Sequence, residues 1–373
     1  MSKAPILFAG GGSGGHIVPL LAVMGEVRRL DPDRPCIYVG QASDLQSPLL
    51  DASGLTFARY SITAGKLHRF LTPDQLRQGY RAIIGLIQAE RLVGKLKPAA
   101  VLCKGSMLSF PIAKAAARRG IPVFTHETDV VPGLANRLVA RYAKRIFTSF
   151  PVDWYDNLLP SKLQATGQPV RAAFYHPSPT FVPLIDQGRV GKNGLPLLVV
   201  IGGSQGARRL NRLVQGAWPT LLASYRVVHL CGSLDYDELY REAARMNPHL
   251  RQNLYLSEFL LEGMPELFAS ASLAISRAGG TVFELAASET PTVLVPLSTA
   301  AQGHQLANAK VLEAAGAAKI FLETGTNSEK LVEVVCALMD DAAERRRLSE
   351  AISTFARPEA AEEMARTILE GLE

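Results

Sequence analysis

The stretch Ile6-Leu7-Phe8-Ala9-Gly10-Gly11-Gly12-Ser13-Gly14-Gly15-His16 decides how this chain folds. An apolar run passes straight into glycines and then into a helical pattern over Val18 to Leu30. The same plan returns at Leu197-Leu198-Val199-Val200-Ile201-Gly202-Gly203-Ser204-Gln205-Gly206, ahead of a helical pattern over Ala207 to Leu222. A buried strand that turns through glycines into a helix exposes backbone N–H groups at the positive helix end. Such a turn binds anions, phosphate above all. Two such units predict two nucleotide-binding-type α/β domains with a cleft between them.

Outward from these loops, apolar runs and helical patterns alternate along the whole chain, which predicts α/β layers on parallel sheets. Strands are predicted at Ile6–Ala9, Cys36–Val39, Thr56–Tyr60, Ala100–Cys103, Pro122–Thr125 and Arg145–Thr148, and then at Leu197–Ile201, Arg226–Leu230, Leu254–Leu256, Leu273–Ser276, Thr292–Val295 and Lys319–Phe321. From Gly167 to Pro196 the chain is rich in Pro and Gly and reads as a linker with a loop. The domain boundary is placed near Arg171, dividing residues 1–170 from 171–356.

The 373 residues suffice for two ordinary domains, and the 47% apolar, 20% charged composition is globular. No apolar run approaches the roughly 20 residues that span a bilayer. No signal peptide is read at the N-terminus, so a cytoplasmic location is the expectation. The four cysteines lie far apart, and the seven histidines are scattered, so neither disulfides nor a metal site is expected. A net charge of +6 favours anionic partners. No nucleic-acid-binding signature accompanies it.

Gly10, Gly12 and Gly15 satisfy GxGxxG, but a dinucleotide site also needs an acid ending the second strand. Here that strand ends Tyr38-Val39-Gly40-Gln41. The loop ends instead in His16, expected partly exposed with an ordinary histidine pKa, suited to accept a proton. In the second loop Ser204 offers a hydroxyl, and Arg208 and Arg209 suggest either an anionic ligand or solvated surface. A third junction, Ser276-Arg277-Ala278-Gly279-Gly280-Thr281-Val282-Phe283-Glu284, places Thr281 and Glu284 at capping-box spacing. Glu284 could equally take both hydroxyls of a ribose. Gln305 and Asn308 share a helix face, and amides can both donate to and accept from sugar hydroxyls. The acid pairs Asp31/Asp33 and Asp235/Asp237 read as turn and cap residues rather than a metal site.

These motifs together resemble the MurG-type glycosyltransferases of family 28. The stretches that carry the resemblance are GGGSGGHIVPLLAV, ITAGKLHRF, HETDVVPGLANR, TGQPVR, IGGSQGARRLN, SRAGGTVFELA and GHQLANA, in family order over nearly the whole chain. The resemblance implies a GT-B fold, two Rossmann-like domains facing across a cleft. The acceptor and membrane side would be residues 1–170, with a C-terminal helix at about 357–373 crossing back to it. The UDP-sugar side would be residues 171–356. It implies an inverting transfer of N-acetylglucosamine from UDP-N-acetylglucosamine to lipid I, the undecaprenyl-pyrophosphoryl-muramoyl-peptide, on the inner face of the cell membrane, for peptidoglycan synthesis. By matching position, Ser13, Gly14, Arg171, Ser204, Gln205, Leu260, Gly279, Thr281, Glu284 and Gln305 would serve the donor. Gly15, Gly105 and Asn136 would serve the acceptor. His16 would be the general base, with Glu127 a competing candidate, and no cofactor or metal is implied. Two loops depart from the family: Lys104-Gly105-Ser106-Met107, where adjacent glycines are usual, and Cys231-Gly232-Ser233-Leu234. A diacylglycerol glycosyltransferase, a UDP-N-acetylglucosamine 2-epimerase and a non-catalytic UDP-sugar-binding protein are the alternatives.

Residues Lys66 to Lys97 combine Lys66, His68, Arg69, Arg77, Arg81, Arg91, Lys95 and Lys97 with Phe70, Leu71, Tyr80, Ile83, Ile84 and Ile87. From Pro73 the stretch reads as an amphipathic helix. It is either a core helix with a solvated basic face or a contact with an anionic membrane.

Overall fold

A computed structural model describes residues 3–65, 74–178, 194–203, 207–297 and 303–372. The chain forms two compact units, Met1–Arg171 together with Arg357–Glu373, and Ala172–Ala356. Each is a doubly wound, Rossmann-like α/β layer.

In the first unit, the described residues form seven strands ordered β3-β2-β1-β4-β5-β6-β7, every neighbouring pair parallel. They are β1 (Ile6–Gly10), β2 (Cys36–Gly40), β3 (Ala58–Ser61), β4 (Ala100–Lys104), β5 (Val123–Glu127), β6 (Arg145–Thr148) and β7 (Leu163–Ala165). Burial on both faces explains why the central strands read as unbroken apolar runs. Strand alternation divides β1 between two cores: Ile6 and Phe8 join the layer of the Gly14–Leu30 helix, while Leu7 and Ala9 join Ala89, Val93 and Ile112 on the opposite face. The Ala360–Glu370 helix completes the first layer with Ala361, Met364, Ala365 and Ile368. Its polar side is tied down by Gln164, which donates to Glu363 and Thr367.

Among the described residues the second unit holds six parallel strands in the order β10-β9-β8-β11-β12-β13. They are β8 (Leu197–Ile201), β9 (Arg226–Leu230), β10 (Leu254–Ser257), β11 (Leu273–Ser276), β12 (Thr292–Leu294) and β13 (Lys319–Ile320). Leu198 and Val200 pack under the Arg208–Ser224 helix around Trp218.

In both sheets the order reverses beside the first strand, between β1 and β4 and between β8 and β11. Ligands of open α/β sheets bind outside the carboxyl ends of the strands at such a point. The glycine loop after β1 lies there, as do Gly202 and Gly203 after β8.

Two sequence expectations shift. The first helix begins at Gly14, not Val18, because glycines beside the Ser13 cap already adopt helical backbone. His16 therefore sits inside the first turn and Pro19 in the second. Strand β7 was not anticipated: Leu163-Gln164-Ala165 is short and half-exposed, so it carries no apolar run.

Candidate active site

At the switch point of the first unit, Asp44 organises the loop after β1. Its buried carboxylate accepts from the Gly12 amide at 2.8 Å and from the Gln41 amide at 2.7 Å. A dinucleotide fold would spend an acid of this region on a ribose. Here it turns inward, and one amide of the expected anion cradle is already taken. No side chain fits at Gly11, where a Cβ would overlap the Asp44 carboxylate. The amides of Gly14 and Gly15 open the helix, where no intrahelical carbonyl reaches them.

His16 is half-buried. Its Nδ1 lies 2.7 Å from the Gly11 carbonyl, which can only accept, so Nδ1 carries the hydrogen and Nε2 keeps its lone pair. The ring lies against Gly105, at whose Cα any added Cβ would overlap it. Gly105 and Ser106 have φ of 52° and 37°, two consecutive left-handed residues. The ordinary histidine pKa expected from sequence is corrected. Burial, aided by the charge of Lys104, holds His16 below it, against the Gly11 carbonyl, Asp129 and Asp44.

Glu127 and Asn136 meet, but each is filled from within. The Glu127 carboxylate is buried and accepts from the amides of Asp129 and Gly133 at 3.0 Å and from Asn136 Nδ2 at 2.8 Å. Burial first, then Asp129, pushes its pKa up. Asn136 also donates to the His126 carbonyl and accepts from Thr125. This pair holds the turn after β5 in shape. Lys104, which sequence reading noted only as a departure, ends β4 fully buried.

In the second unit, Arg277 follows β11 and is buried in an ion pair with Glu323 at 2.7 Å, while donating to the Val295 carbonyl. Asn308 donates to the Ala278 carbonyl at 3.0 Å. These bonds brace the turn that presents Gly279, Thr281 and Glu284. The capping-box expectation is corrected: the helix spans Thr281–Ala287 with Gly280 as its cap, so Thr281 lies inside it. Glu284 is half-buried, one turn in. Gln305 is also narrower in chemistry than expected. Its Oε1 already accepts from the Leu297 amide at 2.8 Å, which takes one of its two lone pairs and makes the NH2 group the readier partner for a ligand. Asn308, expected beside it on a sugar, is buried in its contact with Ala278.

The loops after β9 and β10 are joined by the Gly232 amide donating to Glu258, and half-buried Leu260 lies on the second of them. Arg208 pairs with buried Asp235 at 3.0 Å, and Asp235 also accepts from Asn211. Asp235 caps its helix by position but not by side chain. The Arg208 charge thus has an internal partner, while Arg209 is exposed. Arg171 is the last residue of the first unit. Ser204 and Gln205 lie outside the described residues.

Two family models match the chain: the glycosyltransferase family 28 N-terminal domain over residues 6–148, and the family 28 C-terminal domain over residues 197–364. Curated relatives carry the name UDP-N-acetylglucosamine–N-acetylmuramyl-(pentapeptide) pyrophosphoryl-undecaprenol N-acetylglucosamine transferase. That of Salinibacter ruber is 35% identical, covering 99% of this chain and 97% of the relative. That of Lachnospira eligens is 34% identical, covering 90% and 91%. Among solved structures, MurG of Acinetobacter baumannii superimposes with a TM-score of 0.70 at 25% identity, over 99% of this chain and all of that one. A UDP-GlcNAc 2-epimerase from Neisseria meningitidis reaches 0.71 at 14% identity over 98% and 99%, a likeness of fold alone.

Proposed function

The chain belongs to glycosyltransferase family 28, and we propose that it transfers N-acetylglucosamine from UDP-N-acetylglucosamine to the undecaprenyl-pyrophosphoryl-linked muramoyl peptide, for peptidoglycan synthesis. The observation that carries this reading is the match, at 34 to 35% identity over nine-tenths or more of the chain, to relatives bearing that one activity. Incubation with labelled UDP-sugars and the lipid-linked acceptor tests it. A labelled disaccharide-lipid is expected; free UDP with no lipid product, or an epimerised sugar nucleotide, would refute it.

The residues divide the work as follows. His16 takes the proton of the attacking muramoyl hydroxyl through Nε2. That hydroxyl displaces UDP from the anomeric carbon with inversion, and the sugar–phosphate bond breaks. Gly14 and Gly15 lend amides to phosphate oxygens, with Ser13 at the cap. Glu127 and Asn136 keep their loop in shape. On the donor, Glu284 holds the ribose hydroxyls, the Gly279–Thr281 turn meets phosphate, Gln305 donates to a sugar oxygen, and the Leu260 backbone meets the base. Ser204, Gln205 and Arg171 complete the phosphate contacts. Preorganised dipoles of this kind stabilise the charge that builds on the leaving group.

Replacing Glu284 with alanine removes charge-assisted hydrogen bonds worth about 1 to 3 kcal/mol together. UDP affinity is expected to fall about 10- to 100-fold with the fold intact. Calorimetry that finds it unchanged removes Glu284 from the donor site.

The enzyme works at the inner face of the cell membrane, since a polyprenyl-linked acceptor stays in the bilayer. Among the described residues no helix is long and apolar enough to cross one. Support for a surface contact comes from the Asp74–Leu96 helix. It faces its core with small residues such as Gly85 and Ala89, which leaves Tyr80, Ile83 and Ile87 exposed at 66%, 58% and 47%. Their spacing puts them on one side. A core helix would have buried them. Exposed Arg91 and Lys95 follow, while Lys66, His68, Arg69, Phe70 and Leu71 lie outside the described residues. The double variant Ile83→Ser, Ile87→Ser is expected to lose most binding to anionic vesicles, and wild-type binding to weaken with salt. Equal co-sedimentation of both proteins would leave the helix without a membrane role.

A further inference from the structure

Lys104 is 2% exposed at the end of β4. Its ammonium donates to three neutral acceptors, His126 Nδ1, Thr128 Oγ1 and, at 3.5 Å, Gln168 Oε1. Gln168 is itself fixed, accepting from Thr128 and Ser149 at 3.1 Å. His126 can accept because its Nε2 hydrogen goes to the Gly167 carbonyl at 3.0 Å. A single amine thus ties together the carboxyl ends of β4 and β5 and the chain just after β7. The next residue is Gly105, against which His16 lies.

We propose that Lys104 is a positioning residue for the transfer reaction: a fixed cation that holds the Gly105–Ser106 turn under the His16 ring and opposes a second positive charge on that ring. The inference rests on the base role of His16 given above. The charged groups facing His16 are Lys104, Asp129 and Asp44, and of these Lys104 alone disfavours a protonated ring. Lys104 in turn faces Glu127, Asp129 and His126. Burial pushes its amine down to about 7, the two carboxylates resisting. The amine is therefore charged below that pH, the window in which a histidine would take up a proton.

The test is titration of His16 by NMR in the full chain, alongside pH profiles of kcat/KM, for wild type, Lys104→Gln and Lys104→Met. Glutamine keeps N–H donors without charge; methionine removes both. The wild-type ring is expected to titrate below 6.5, the ordinary histidine value. In both variants its pKa should rise, and the acid limb of the profile should move with it. The rate loss would then be several-fold greater at pH 6 than at pH 8.5. A uniform loss with an unmoved limb would make Lys104 a mere strut and overturn the proposal. If neither variant folds, a wild-type ring titrating at or above 6.5 overturns it. An absence of any sugar transfer would instead sink the functional reading, and the ring titration would still be read on its own.

Discussion

Replacing His16 with alanine is expected to cut turnover by about 10²- to 10⁴-fold, the usual cost of losing a general base, while UDP binding stays within a few-fold of wild type. The geometry underlies both halves of this expectation. Nδ1 is held on the Gly11 carbonyl, which fixes the tautomer and leaves Nε2 as an acceptor. Burial keeps the ring below the ordinary histidine pKa, so the neutral form persists to lower pH than a surface histidine would allow. Activity should therefore be retained as pH falls, until the lowered pKa is reached. The donor contacts proposed above lie mostly in the other unit. Calorimetry with UDP and kcat with a lipid-linked acceptor check the two halves separately. A kcat within a few-fold of wild type would move suspicion to Glu127, whose carboxylate already accepts from three N–H donors.

A second large loss is expected from Gly105→Ala, about 10²-fold in kcat. Alanine at φ 52° is strained by about 1 kcal/mol, and its methyl group would overlap the His16 ring. The imidazole must then shift, and a displacement of about 1 Å in a reacting group costs on this order. Gly120 supplies the control. It has φ of 70° with open space where a Cβ would go. Gly120→Ala should lose similar stability by thermal melt yet keep its turnover. Equal activity losses in both variants would mean that general destabilisation, not the His16 contact, is responsible.

The architecture of two α/β units was legible because the central strands are buried on both faces and so stand out as apolar runs between helical patterns. β7 escaped notice because an edge strand of three residues needs no such run. His16, Gly105 and the Gly279–Glu284 turn were legible from glycine spacing and family likeness. What sequence could not convey was where the polar groups spend their hydrogen bonds. Asp44 looks like any loop acid until the fold points it at Gly12. Gln305 looks like a two-way amide until the Leu297 amide takes one lone pair of its oxygen. Lys104 gave one signal, a lysine closing an apolar strand, but its three acceptors come from residues 22, 24 and 64 positions away. Such partnerships are tertiary, and no local pattern encodes them.

The Ala360–Glu370 helix has a consequence for how the chain matures on the ribosome. Its residues Met364 and Ile368, both essentially inaccessible, belong to the core that Ile6 and Phe8 begin. Between these parts the chain must first produce all of 172–356, a complete second unit. Synthesis proceeds from the N-terminus, so during that interval the Gly14–Leu30 helix keeps an apolar flank uncovered, and the first unit lacks about 1.5 to 3 kcal/mol for each missing large side chain. The first unit thus completes its core only once residues 357–370 emerge, whereas the second unit draws its core from one continuous stretch of chain.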